Sequence, residues 1–190
     1  MIRRSILLAA TIAFAIGAAL AAVAWNVVVN GKKVLLSNGQ PAWIEVNWPF
    51  APDIWGRGKA FRCNSADCGA EINVYVRPKI GFCNCMAGVS DDAELERLGD
   101  LPLLGQELKP LGPGRVVGVA WMKGLSRNYS AAESARSGNS AITIAFHDRC
   151  DAVVALALVG KKQPDGSQAA VIDLLGSRAV IGWLENTLGL

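Results

Sequence analysis

Four cysteines within residues 61–85, FRCNSADCGAEINVYVRPKIGFCNC, limit what this chain can fold into more than any other feature, because sulfur bridges among them can close only short loops. The fifth, Cys150, stands far downstream. Five thiols cannot all pair within one chain, so at least one stays out. A bridge between Cys83 and Cys85 is the least favourable, since residues two apart on an extended strand project in parallel to one face, too far from each other. If made, it is strained and prone to exchange. Bridges from the Cys63/Cys68 turn to the Cys83/Cys85 strand are easier, because a hairpin between them returns the chain. A local Cys63 to Cys68 bridge across Asn64-Ser65-Ala66-Asp67 is also feasible, and Cys150 is the first choice for the odd thiol. Each structural bridge is expected to add roughly 2–4 kcal/mol.

What the sulfurs do depends on compartment. Residues 1–24, MIRRSILLAATIAFAIGAALAAVA, have a basic start (Arg3, Arg4), an apolar run over 6–20, and Ala22 and Ala24 flanking Val23. That is the layout of a signal peptide with cleavage near Ala24/Trp25. The alternative is an uncleaved N-terminal anchor in the inner membrane facing the periplasm, since residues 6–29 are long enough to span a bilayer apart from Asn26. The Ala- and Gly-rich second half of the run, and the strand-like segment directly after it, favour cleavage. The flanks of Arg3-Arg4 fit a twin-arginine signal poorly. The expected location is the periplasm or outside the cell, where disulfides form and persist.

Structural disulfides are therefore the leading reading of Cys63, Cys68, Cys83, Cys85 and Cys150. Two others compete. A C-x4-C…C-x-C set offers four thiolates to zinc, but C-x-C falls outside the usual knuckle spacing. Thiol–disulfide exchange at Cys83 and Cys85 is chemically open, yet Phe82, Asn84 and Met86 provide no cation to hold a thiolate.

Arg3 and Arg4 are two of the 19 basic residues, and the others nearly balance 16 acidic ones. No field of one sign is left to attract nucleic acid or an anionic bilayer. No nucleic-acid partner is expected, and membrane contact only through the N-terminal segment if it stays attached. At 190 residues the chain suits one domain, spanning residues 25–190.

Asn30-Gly31 between two aliphatic runs predicts an N-terminal β-hairpin over residues 26–36. Residues 42–48 alternate as a strand, and so do residues 70–79, where Ile72, Val74 and Val76 oppose Asn73, Tyr75 and Arg77. Pro78 is expected to end that strand or mark an edge. Ser90 is a candidate N-cap for a short acidic helix that Gly99 ends. Residues 101–114 read as loop. RVVGVAWM, residues 115–122, reads as one strand buried on both faces. Residues 124–140 read as exposed and mobile, with one helical turn over 131–136. AITIAFH and AVVALALVG read as an antiparallel pair around Asp148-Arg149-Cys150-Asp151. Val171, Leu174 and Leu175, then Val180, Trp183, Leu184 and Leu188, switch to helical spacing, with Ser177 capping the final helix. The fold class is α+β: a mostly antiparallel sheet with an N-terminal hairpin and C-terminal helices packed on one face.

Three aromatics, Trp48, Phe50 and Trp55, sit in a loop broken by Pro49, Pro52, Gly56 and Gly58. They can form a binding lip for a sugar or apolar ligand, or tuck the loop onto the core, which the area of such rings favours. Asp91, Asp92 and Glu94 lack the alternation and central glycine of a calcium loop. His147 lies near Cys150 and invites a nucleophilic pair with Asp148 or Asp151, but the odd spacing turns the two to opposite faces of a strand. No nucleophile elbow, phosphate loop or dinucleotide fingerprint is present.

The combination VNGKKVLLSNGQPAWIEVNWPF, the 61–85 cluster and HDRCDAVVA resembles a group of small uncharacterised exported proteins of Gram-negative bacteria, over nearly the whole chain after the signal segment. That likeness implies export and no particular activity. The strand-rich body ending in a helix also resembles, in architecture alone, the photosystem-P/Mog1-type α+β sandwich. The expectation is an exported, non-enzymatic binding or interaction module with structural disulfides, with an envelope protein or small ligand as partner and no cofactor. The alternatives are a periplasmic thiol–disulfide redox protein using Cys83/Cys85 and a zinc-binding protein with four cysteine ligands.

Overall fold

The computed structural model describes residues 33–34, 42–81, 88–105, 107–131, 140–160 and 165–190. Residues 1–24, read as a signal peptide, the turn expected at Asn30-Gly31, and Cys83-Asn84-Cys85 lie outside the described residues. All described residues but Lys33 belong to one compact unit, Val34–Leu190. Its elements in order are β1 (Lys33–Val34), β2 (Trp43–Val46), β3 (Lys59–Cys63), α1 (Ser65–Cys68), β4 (Ile72–Lys79), α2 (Asp92–Leu98), a 3-10 turn (Leu101–Leu104), β5 (Leu108–Pro110), β6 (Arg115–Val119), β7 (Met122–Ala131), β8 (Ser140–Asp148), β9 (Asp151–Val159), α3 (Ser167–Leu175) and α4 (Arg178–Leu188).

The strands form one sheet in the order β1-β2-β3-β4-β9-β8-β7-β5, with β6 also paired to β7. The β2 to β9 pairings are all antiparallel. The class is α+β, as the switch from period-two to helical spacing predicts, and both C-terminal helices lie on one face of the sheet. There Ile72, Val74 and Val76 of β4, Ile142, Ile144 and Phe146 of β8, and Val153 and Ala155 of β9 pack under Val171, Leu174, Leu175, Val180 and Leu184. Burying each such side chain is worth roughly 1.5–3 kcal/mol. The opposite face is covered too: Leu95 and Leu98 of α2 pack on Leu125, Ala145 and Val154, and the 3-10 turn packs beside Tyr129 and Leu156. Burial on both faces is why β8 and β9 are apolar almost without interruption.

Four local expectations are corrected. Residues 115–122 are not one doubly buried strand: β6 is an outer strand with Arg115, Val116 and Gly118 exposed, and a tight turn at Ala120-Trp121 sends the chain back into β7. That turn holds Ala120 at φ 51°, so no glycine announces it. β7 in turn occupies much of the stretch read as a mobile loop, with Leu125, Ser126 and Tyr129 buried; the helical turn expected at 131–136 falls mostly outside the described residues. Residues 101–114 carry the 3-10 turn and β5 rather than loop throughout. Asp91, not Ser90, caps α2 by accepting from the Glu94 N–H.

Pro78 sits inside β4, opposite Val153 of β9. It is tolerated because β3 begins only at Lys59, opposite Val76, so residues 77–79 have a strand neighbour on one side alone among the described residues. That open flank is where the functional geometry collects.

Candidate functional site

Two features of the sequence bring residues 47–58 onto the open flank of β4. Gly58 lies so close to the strand that a Cβ there would stand 2.2 Å from the Val76 carbonyl oxygen and 2.7 Å from Arg77 Cβ, so only glycine fits. Trp48 and Phe50 then pack edge-on with each other and with Tyr75, ring centroids 4.8 to 6.1 Å apart. These two aromatics anchor the loop.

Beneath the loop lies an ion network. The guanidinium of Arg77, 2% exposed, donates from Nε and Nη2 to the two oxygens of Asp100, each at 2.8 Å. Its Nη1 donates to Asp53 Oδ1 at 2.7 Å and to the Gly56 carbonyl at 3.3 Å. Lys79, 4% exposed, donates from Nζ to the Leu98 carbonyl at 2.6 Å and meets Asp100 Oδ1 at 2.9 Å. Trp48 lies over Arg77 and Trp55 over Lys79, at 5.8 and 5.7 Å. Burial alone would lower the Arg77 pKa, but hydrogen bonds and charges from Asp100 and Asp53 hold it above its ordinary value. Asp53 moves the other way: desolvation pushes its carboxyl up, and the Arg77 bond, the Trp55 N–H and the charges of Arg77 and Lys79 together pull it below the usual carboxylate value. Two cations and two carboxylates thus balance.

The network fixes the turn at residues 53–56. Asp53 Oδ1 accepts from the Trp55 N–H, the Gly56 N–H donates to the Asp53 carbonyl, and Gly56 takes φ 71°. Ile54 is pushed out at its tip. Between this turn, the end of β4 and α4 lies a half-open cleft of about 340 Å³ lined by Ile54, Trp55, Arg57, Pro78, Ile80, Trp183 and Thr187. Ser177 caps α4 by accepting from the Val180 N–H, which sets the helix phase that brings Trp183 and Thr187 to the cleft. Ile54 is 89% and Ile80 58% exposed. Among the described residues Arg57 is the one charged side chain in the lining, and no carboxylate pairs with it. A second cleft, of about 610 Å³ between β6, β7 and the start of α3, is lined by more polar residues, Arg115 and Asp165 among them, and by no exposed large apolar side chain among the described residues.

A structural disulfide is present, as expected, but not the one that looked easiest from the sequence. Cys63 bonds to Cys68 across the α1 turn, Cα atoms 6.1 Å apart, so the local bridge exists and the easier-looking links from these two to Cys83 or Cys85 do not. A four-residue helix followed by Gly69 at φ 73° brings the two sulfurs together without a hairpin. Cys150 is also disulfide-bonded, which overturns its assignment as the odd thiol and removes it as a nucleophile. The other member of the expected pair, His147, accepts the Val89 N–H at Nδ1 at 3.1 Å, because Gly88 at φ 59° lets that backbone close onto the ring. The Cys63–Cys68 bond likewise takes two thiolates from any four-cysteine zinc site. The acidic cluster is engaged structurally: Asp91 caps α2, Asp92 accepts from the Gly114 N–H, Glu94 pairs with Arg97 and Glu96 with Arg127.

Of Trp48, Phe50 and Trp55, only Trp55 lines the cleft. Sequence reasoning missed Ile54, Arg57, Ile80 and Trp183, and it placed Arg77 on a polar face without its partners. The one legible signal was Ile54 beside Trp55 in a loop bounded by Pro52 and Gly56. Among the described residues no helix is long and apolar enough to cross a membrane. No protein-family model matches this chain, and no curated protein matches it in sequence.

Proposed function

We propose that the protein is an exported, non-enzymatic binding module of an oxidising compartment, and that the β4–α4 cleft takes an apolar group from a ligand or an envelope partner. The observation that carries this reading is the exposure of Ile54 and Ile80 beside two tryptophans. Large apolar side chains grouped at a cleft mark a surface that something else covers. The titratable groups beneath the loop support binding rather than catalysis, because Arg77, Lys79, Asp53 and Asp100 are committed to one another. The Cys63–Cys68 bridge fits the compartment.

The test uses a neutral apolar dye, N-phenyl-1-naphthylamine. Its fluorescence should rise saturably with the protein, and I54S/I80S should weaken binding at least about tenfold, since each isoleucine buried by a ligand is worth roughly 1.5 kcal/mol or more. Unchanged dye affinity in that variant overturns the reading. Export is checked separately by N-terminal sequencing of protein from a periplasmic extract, expected to begin at Trp25.

One observation favours a second reading, thiol–disulfide exchange. Cys150 is disulfide-bonded in addition to the Cys63–Cys68 pair, and the two cysteines of the exchange reading, Cys83 and Cys85, lie outside the described residues. The flanks of the Cys83-Asn84-Cys85 segment are tied to the turn that carries Cys150: the Gly81 N–H donates to Asp151 Oδ1 at 2.6 Å, and Val89 to His147. The odd thiolate attacks the Cys150 bridge, one S–S bond forms as another breaks, and the displaced thiolate leaves with no net oxidation. Alkylation followed by non-reducing peptide mapping decides it. A mixture of Cys83–Cys150 and Cys85–Cys150 species supports exchange, and a single fixed connectivity ends it.

A further inference from the structure

The charges around the cleft say what kind of partner it takes. Arg77 and Lys79 are neutralised by Asp53 and Asp100, and Lys59, which lies against the Trp183 ring, is neutralised by Glu45 at 2.7 Å. Among the described residues around the cleft, Arg57 is left as the uncompensated charge, set among Ile54, Trp55, Ile80 and Trp183 with no carboxylate in the lining. Burying a guanidinium under an apolar partner without an anion would cost far more than the contact returns.

The size of the surface narrows the partner further. The cleft lies near the lower limit of small-molecule sites, and a ligand filling it would leave the outer sides of Ile54 and Ile80 wet. Covering them takes a broader body, and tryptophan with arginine at the centre is the make-up of a protein–protein anchor point. We propose that the cleft docks a segment of another protein that seats a large apolar side chain between Trp55 and Trp183 and places a neighbouring Asp or Glu carboxylate on Arg57. This rests on the cleft being a binding site, as proposed above, and adds the class and charge of what binds.

The probes are two capped peptides, acetyl-Leu-Trp-Glu-Leu-amide and the same peptide with Gln for Glu, titrated into the full chain while NMR follows the indole N–H of Trp55 and Trp183. The Glu peptide should bind about threefold to fivefold more tightly at low ionic strength, the gain of one exposed charge-assisted pair. The gap should close near about 0.5 M salt. Arg57→Gln, at an exposed side chain that makes no ion pair with a described residue, should abolish the gap between the two peptides. Equal binding of both peptides with shifts at both tryptophans overturns the carboxylate and leaves the cleft as a binding site. No shift at either tryptophan with either peptide overturns docking of a polypeptide there, while the dye experiment reports on the cleft independently. A Gln peptide with a free C-terminal carboxylate that matches the Glu peptide moves the anion to a chain end and overturns the side-chain assignment.

Discussion

Strands β3 and β4 are closed at both ends, and by opposite means. Where Cys63 faces Ile72, the connection is tied by the Cys63–Cys68 bridge, with Asn64, Ser65, Ala66 and Asp67 exposed around it. Where Lys59 faces Val76, the loop leading into β3 is tied through Asp53 and Gly56 to a buried Arg77, and through Arg77 and Lys79 to Asp100 beyond α2. The covalent tie acts mainly by restricting the unfolded chain, and a short loop has little entropy to lose. The ionic tie acts on the folded state. Arg77, Lys79 and Asp100 have already been taken out of water, so each of these three depends on the others.

The largest expected effect breaks the ionic end. Asp100→Ala leaves the Arg77 and Lys79 charges buried with too few partners and should cost about 3–5 kcal/mol in urea unfolding. A loss below about 1 kcal/mol would mean that the network contributes nothing as a unit. Next comes the covalent end: the double variant Cys63→Ala/Cys68→Ala should lose about 2 kcal/mol from loop entropy, plus whatever packing the buried Cys63 sulfur contributes. If it loses as much as Asp100→Ala, the two ties are equivalent and the contrast between the ends fails.

The smallest effect sharpens the ionic end. The Asp53 side chain is 39% exposed, so Asp53→Asn should cost under about 1 kcal/mol at neutral pH. Its signature is in the pH dependence. The folded-state pKa of Asp53 is lowered, so its contribution is present above the unfolded value near about 4 and is lost as pH falls through the folded one. Stability of Asp53→Asn should therefore fall less steeply than wild type below about pH 4. Parallel curves would show that the carboxylate does not hold the turn.

The two ends differed in legibility for the same reason that they differ in physics. The bridge joins residues five apart, and the possibility of a Cys63 to Cys68 link was on the face of the sequence. Arg77 and Asp100 are 23 residues apart, and nothing in their spacing announces a bidentate pair. The cleft was half visible. An aromatic loop rich in proline and glycine marks Trp55, but Trp183 comes from the far end of the chain, where the helical spacing of α4 predicts only a cover for the sheet.

Sequence alone determined what depends on near neighbours: the α+β class from the change of hydrophobic period, the two faces of β4, the turn between β8 and β9, the Ser177 cap of α4, and an aromatic loop worth watching. Tertiary structure decided what depends on long-range meeting. It placed α2 on the second face of the sheet, allowed Pro78 inside β4 because β3 stops short, split residues 115–131 into a hairpin, gave Cys150 a sulfur partner, and set Arg57 among exposed apolar side chains with no carboxylate from the described residues to balance it. Periodicity and capping are local energies that a chain carries wherever it goes, whereas burial and charge balance exist only once distant residues share a site.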